Sequence, residues 1–583
     1  MTAQGWFTFI GLAVLLAIST PLLGNYMAKV YTGRKVVGDR FFGPVERVIF
    51  RVTGVDPDGE QRWSTYAVSL LVFSLVGVLV LYAELRFQQH LPFNRGHITT
   101  SSGFGPGAAF NVAISFLTNT NWQIYTGETA ASAFTNFFGL VLQQFLSAAV
   151  GLAVVVALIR GLTRRRSRTL GSFWVDVTKS VTRILLPLSF VFAIVLMSQG
   201  AIEGFGAPVT TTTVAAQATH STSSALTETF VPQPDASQSA IEMLGDNGGG
   251  TYNSNNSHPW EDPNAFTFLF LTWITLMISF ALPWTFGRMV GSIKQGLAVL
   301  ASMLVLFTAS GVFSFVMEAN GNNKFDVAGV SQSATSRQAG GNLEGKDLRF
   351  GVAASTLQED GVTSTSSGGY GSGFDSYTPL GGSAALANML LGEVSPGGTG
   401  SGLYGKLVLA LLSVFIAGLM VGRTPEYLGK KIQASEMKLV VIYLVAVPAV
   451  ILVLSAIAIV SGFATAKLGN GGAHGLTDMV YTYTSAANNN GSAFASITTE
   501  TTWYEVTMGI AEFVGRFALI VPVLAIGGSL ARKRHVPATA GTFRTDNTLF
   551  AGLLLAVTVI LVGLTYFPIL ALGPIVEHLT GHF

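Results

Sequence analysis

Four short stretches rich in asparagine, glycine and hydroxyl residues recur along this 583-residue chain: Thr118-Asn119-Thr120-Asn121, Asn247-Gly248-Gly249-Gly250, Ser366-Ser367-Gly368-Gly369 and Asn488-Asn489-Asn490-Gly491. Each follows a segment able to form a short helix and precedes a long apolar run. Small residues let backbone carbonyls crowd around one axis, and four such turns about one axis replace the hydration shell of a bare cation. A single stretch of this kind reads as an ordinary outer loop. Four in corresponding places read as a cation-selective pore built from one chain.

The elements that must position these turns are membrane spans. The chain is 49% hydrophobic and 11% charged, where a soluble protein carries about a quarter charged residues. A helix needs about 20 apolar residues to cross a bilayer. Runs near 6–29, 65–85, 132–160, 181–199, 265–286, 295–317, 403–422, 438–462, 509–531 and 548–572 qualify, which predicts an all-α integral membrane protein with ten spans. Most of the 33 basic residues flank alternate connections, whereas the loop from Gly200 to Asn264 holds neither Lys nor Arg. By the positive-inside rule both termini lie outside. The first apolar run lacks a basic residue ahead of it and reads as a true span, not a cleaved signal. With no cysteine, neither a disulfide nor a thiolate metal site is available.

The unit of span, outer re-entrant segment and span occurs four times. It divides the chain into an N-terminal span with its cytoplasmic loop (1–64), repeats at 65–160, 161–290, 291–424 and 425–531, and a C-terminal span (532–583). Non-helical backbone survives at membrane depth only where protein or water satisfies it. The preceding segments, such as Phe104–Leu117 and Met479–Ala487, are expected to be half-helices that aim the negative ends of their dipoles at a cation. Thr210–Ser239 and Gly321–Gly340 read as solvated outer loops with little packing value.

The wording of several segments is distinctive: TNTNWQIYTGE (Thr118–Glu128), NGGGTYNSNNSHPWEDPN (Asn247–Asn264), DSYTPLGG (Asp375–Gly382), GRTPEYLGKKI (Gly422–Ile432) and YTSAANNNGSAFA (Tyr483–Ala495). Together they resemble the potassium-binding A subunit of the bacterial Kdp potassium-importing ATPase, over nearly the whole chain. The resemblance implies a fold of the superfamily of potassium transporters, with K+ as ligand, no organic cofactor and a place in the bacterial inner membrane. It also implies a complex with a P-type ATPase B subunit, a C subunit and a very small F subunit. Carried over residue by residue, the filter takes Asn119, Thr120 and Asn121 from the first repeat and Asn247 and Gly248 from the second. Ser366, Ser367 and Gly368 come from the third, and Asn489, Asn490 and Gly491 from the fourth. The third stretch, STSSGGYGSGF, is richer in glycine than the family pattern, so its register is the one the resemblance places least firmly.

The chain carries no means of using ATP itself. Gly340–Lys346 and Gly400–Lys406 match the glycine and lysine spacing of a phosphate loop, but Asp347 and Leu407 follow instead of a hydroxyl residue. The Asp-Lys-Thr-Gly of a phosphorylated pump is absent. An ATPase partner must therefore supply the energy, or transport runs on an ion gradient as a self-sufficient channel or symporter. Ionisable groups near spans are costly and often functional. Glu393 is a candidate to attract a dehydrating cation below the filter. Arg516 is a candidate to repel cations from the wrong exit, against local pairing with Glu512. Gln123, which follows the first stretch, is a further tunnel or gating candidate. The break Ser395–Gly402, with Gly397 and Gly398, is a candidate gate that diverts the ion. Asp375 reads as the cap or brace of a helix start rather than as an ion ligand. The acids Asp235, Glu242, Asp246, Glu261 and Asp262 surround the second stretch and read as a solvated loop, or else as charges that concentrate cations at the mouth. The scattered histidines form no spaced ligand pair, so a transition-metal site is not expected. Hydrolase and nucleic-acid readings find no supporting residues. The clusters Arg164–Arg168 and Arg532–Arg534 read as anchors to anionic lipid or a cytosolic partner domain.

Overall fold

A computed structural model describes residues 3–94, 98, 103–213, 227–252, 255–336, 338–537 and 542–581. Ten helices in it are long and apolar enough to cross a membrane: Ala3–Tyr31, Trp63–His90, Thr135–Thr163, Phe173–Ser198, Ala265–Met289, Ile293–Phe325, Ser401–Met420, Ala434–Val460, Thr502–Arg532 and Thr548–Thr580. Each coincides with one expected apolar run.

Burial sorts these helices by their place in the repeat. The four spans that follow the polar stretches, Thr135–Thr163, Ala265–Met289, Ser401–Met420 and Thr502–Arg532, have 61–83% of their apolar windows buried. The four that precede them have only 22–44% buried. The following spans are therefore the inner wall of the bundle. The preceding ones turn apolar side chains such as Leu79, Val80 and Ile442 outward, where lipid is the only apolar solvent on offer.

Between each outer and inner span lies a short helix: Pro106–Thr118, Asp235–Leu244, Gly351–Ser364 and Gly472–Asn488. Pro106 opens the first at a position where a missing N–H costs nothing. The second and third are buried along almost their whole length despite polar residues, because spans surround them. Asp235–Ser239 thus belong to a buried helix, which corrects the solvated-loop expectation for Thr210–Ser239. Polar sequence there marks a short helix packed among the spans, not exposure. Within the same segment Val209–Thr212 pairs antiparallel with Thr227–Phe230, and 214–226 lie outside the described residues.

The basic connections gather on one face. Arg183 of the third connection pairs with Asp39 and Glu46 of the first, Arg164 with Glu60, and Lys533 with Glu436. Gln61–Arg62 adds a two-residue strand against Thr169–Gly171. Arg160, half-sunk beside Asp176, completes a two-point ion pair with it.

Candidate functional site

The short helices end alike in three repeats. Asn119, Asp246 and Asn489 stand just past the helix ends with φ of 75°, 50° and 61°. These left-handed residues turn the chain, and Asn and Asp tolerate that region better than most residues. The next amide then closes back on the helix: Thr120 N donates to Ser115 O (3.0 Å), Asn247 N to Glu242 O (2.8 Å) and Asn490 N to Ser485 O (2.9 Å). The bond spans five residues each time, as in a Schellman helix end. The third repeat departs from this pattern: Thr365 has φ −100° and bonds to Gly361 O, four residues back.

The four turns meet in a closed ring. Asn121 Nδ2 donates to Gly248 O (3.0 Å), and Asn119 Nδ2 to Asp246 O (2.7 Å), joining the first and second stretches. Gly368 N donates to Asn247 O (2.7 Å), joining the second and third. Asn490 Nδ2 donates to Thr365 O (3.1 Å), joining the third and fourth. Asn489 Nδ2 donates to Thr120 Oγ1 (2.9 Å), which returns the ring to the first. Glycine is required where the strands touch. A Cβ on Gly248 would lie 2.8 Å from Gly368 Cα, and one on Gly491 would collide with Thr120 O. All eleven expected filter residues lie in this ring, buried from bulk solvent.

The ring is not evenly fourfold. Asn247 O receives both Gly368 N and Ser367 Oγ, and Gly248 O receives both Asn121 Nδ2 and Gln144 Nε2 (2.9 Å). Their lone pairs are engaged by the wall. Among the described residues the carbonyls of Thr120, Ser366 and Asn490 accept no such bond. Sequence reasoning missed the residues that hold the wall: Gln144 on an inner span, Gln238 (to Gly249 O, 2.7 Å) and Asn255 (to Gly368 O, 2.9 Å). Gln144 alone had a local signal, a polar side chain inside an apolar run.

The broken segment lies against the ring. A helix over Pro379–Leu390 stops, and the next begins at Ser401. Gly397 N donates to Ser364 O (2.9 Å), Thr399 Oγ1 donates to Asp246 Oδ2 (2.8 Å), and a Cβ on Gly398 would collide with Ser366 Oγ. Buried Glu393 lies beside Asn490, with φ 50°. Arg516 is also buried, and its Nη2 donates to Ser147 O (3.0 Å) on an inner span rather than to Glu512. It lies next to Gly151, onto whose carbonyl the break at Gly400 packs. Gln123 stands apart from this group: its Nε2 donates to Gly250 O (2.7 Å), bracing the first stretch to the second. Asp375 does not cap the helix at Pro379. Thr378 does, accepting from Gly381 N, because its side chain is one residue from the helix start.

The acids near the second stretch are buried, which overturns the solvated-loop expectation. Glu261 accepts backbone amides from Asn256 (2.9 Å) and His258 (3.3 Å), so it ties a loop rather than facing water. Burial pushes its carboxyl up to about 7. Burial likewise pushes Asp262 up to about 8, against the pull of the Thr267 hydroxyl and the Arg349 charge. The two phosphate-loop spacings make no cradle. Lys346 is buried on Glu318 (2.7 Å) and over the ring of Tyr377, and Lys406 points from a helix toward Thr558 Oγ1 (3.3 Å).

The helical bundle has a structural counterpart among solved proteins. The fold matches the potassium transporter TrkH from Vibrio parahaemolyticus with a TM-score of 0.51, 14% identity, and coverage of 89% of this chain and 98% of that one. A potassium-transporting ATPase potassium-binding subunit from Mycobacterium tuberculosis (strain ATCC 25618 / H37Rv) is 51% identical over the full length of both chains. Another from Rhodospirillum centenum is 47% identical, over 100% of this chain and 98% of its own. The family profile of the potassium-transporting ATPase A subunit, KdpA, matches residues 10–579. The chain is a multi-pass membrane protein and belongs to the family of the potassium-transporting ATPase A subunit.

Proposed function

We propose that this chain is the potassium-binding, channel-like subunit of an ATP-driven potassium importer. It takes K+ from the outside into the ring of four stretches and passes it through an intramembrane tunnel to a P-type ATPase subunit. The observation that carries the reading is the ring itself: turns from four repeats, closed by side-chain and backbone bonds, with the carbonyls of Thr120, Ser366 and Asn490 left to a ligand. Carbonyl oxygens replace hydration water, and the C-terminal ends of the short helices add negative potential where a cation sits. Glu393 receives the ion beneath the ring, while Gly397, Gly398 and Arg516 bar straight passage and turn it sideways, since a fixed positive charge raises a barrier. The pseudo-repeats run 65–160, 161–290, 291–424 and 425–531. The B, C and F subunits complete the importer, lipid surrounds the outer spans, and both termini face outward from the bacterial inner membrane.

The test is Gly248→Asp in the whole complex, read as potassium-stimulated ATPase activity. Lost potassium affinity or altered ion preference is expected, and unaltered values remove the second stretch from the filter. Flux of Rb+ through the isolated chain in liposomes without ATP would instead make it a self-sufficient channel or symporter.

A further inference from the structure

Away from the ring, four ionisable side chains from three distant segments converge at the start of the fourth short helix. His474 and Asp478 stand one helical turn apart on that helix, Asp375 comes from the loop after the third stretch, and Glu577 from the C-terminal helix. His474 Nε2 lies 2.8 Å from Asp375 Oδ1 and 3.6 Å from Asp478 Oδ1, and its Nδ1 lies 2.6 Å from Glu577 Oε1. One ligand atom each from Asp375, His474 and Asp478 falls within 4.8 Å of the others.

Two features separate this cluster from ordinary surface acids. Asp478 is fully buried, and its Oδ1 points at the imidazole without a hydrogen-bond donor among the described residues. Its other oxygen is held by Ser496 Oγ (2.6 Å) and Asn470 Nδ2 (3.1 Å), so the free oxygen has a fixed aim. Glu577, in turn, occupies Nδ1, the partner that orients a metal-bound histidine and fixes its tautomer. A three-ligand set around a four-coordinate ion with bonds of about 2.0–2.2 Å places its ligand atoms roughly 3.3–3.5 Å apart. The 3.6 Å pair already fits, and the 2.8 Å pair must open slightly. The Asp375 side chain, 30% exposed, leaves a route of entry.

We propose that His474, Asp375 and Asp478 form a site for a divalent transition cation of the zinc class, with Glu577 bracing His474. The spacing of histidines along the chain gives no sign of it, because Asp375 is 99 residues from His474. The ion links the third repeat, the fourth short helix and the C-terminal helix at the end remote from Asn489.

The experiment is calorimetric titration of ZnCl2 into the tag-free full-length chain, with zinc-edge X-ray absorption on the wild type. Expected are one saturable equivalent, a shell of one imidazole nitrogen and carboxylate oxygens, binding at least 100-fold weaker in Asp478→Asn and His474→Ala, and about 10–100-fold weaker in Glu577→Gln. Absence of saturable binding by the wild type overturns the proposal, as does an absorption spectrum without imidazole. Unchanged binding by folded Asp478→Asn does the same. The absorption measurement on the wild type decides the matter even where a variant fails to fold.

Discussion

Asn489 reaches across 369 positions of sequence to place its Nδ2 2.9 Å from Thr120 Oγ1, and the same nitrogen lies 2.9 Å from Glu512 O. One side chain thereby closes the ring between the fourth and first repeats and fastens it to an inner span. Asn489→Gly keeps the left-handed turn but removes both bonds. Two bonds at about 1 kcal/mol each amount to about 2 kcal/mol, so the potassium concentration for half-maximal ATPase stimulation should rise roughly thirtyfold. An unchanged value would release Asn489 from any part in binding.

Gly491 tests the close approach of strands. Its φ is 101°, and a Cβ would strike Thr120 O. Gly491→Ala should weaken potassium binding about 5- to 150-fold, because overpacking of about 1–3 kcal/mol falls on the ring itself. Gly563, with open space where its Cβ would be, provides the matched control, and Gly563→Ala should bind normally. Equal behaviour of the two variants in equilibrium binding would contradict the geometry.

Gly397 separates binding from passage. Its φ is 83° and a Cβ would collide with Glu393 O and Gly402 Cα, so Gly397→Ala must shift the break rather than the ring. Transport by the complex should fall severalfold while equilibrium potassium binding stays within twofold. A parallel loss of both would place the break within the binding site.

Arg516 donates to Ser147 O under the ring, and its charge is expected to block the direct exit. Arg516→Gln should admit Rb+ into vesicles without ATP and lower the ratio of ions moved to ATP hydrolysed. Tight coupling in the variant would leave Arg516 with a packing role only.

Asp262 predicts a pH dependence of stability. Its carboxyl, ordinarily near 3.8, is pushed up to about 8 by burial, so the folded state holds a proton that the unfolded state has released between those values. Stability therefore falls as pH rises through that window and levels off above about 8. Asp262→Asn should flatten the change in melting temperature between pH 4 and 8, and a slope equal to the wild type would assign the dependence to other groups.

The span count, the four polar stretches and their short helices are legible in the chain because each depends on local properties. Hydropathy over about 20 residues decides a crossing, and small or amide residues past a helix end decide a turn. The eleven ring residues are named individually through the resemblance to the Kdp A subunit, not from local properties alone. Tertiary structure alone decided which turns touch, that Asn247 O and Gly248 O are spent on the wall, and that Gln144 and Gln238 hold it. It also decided that Asp235, Glu261 and Asp262 are buried, and that Asp375 meets His474 rather than capping a helix. Those outcomes depend on groups hundreds of residues apart arriving within 3 Å, and a polar side chain reads the same in sequence whether water or another repeat satisfies it.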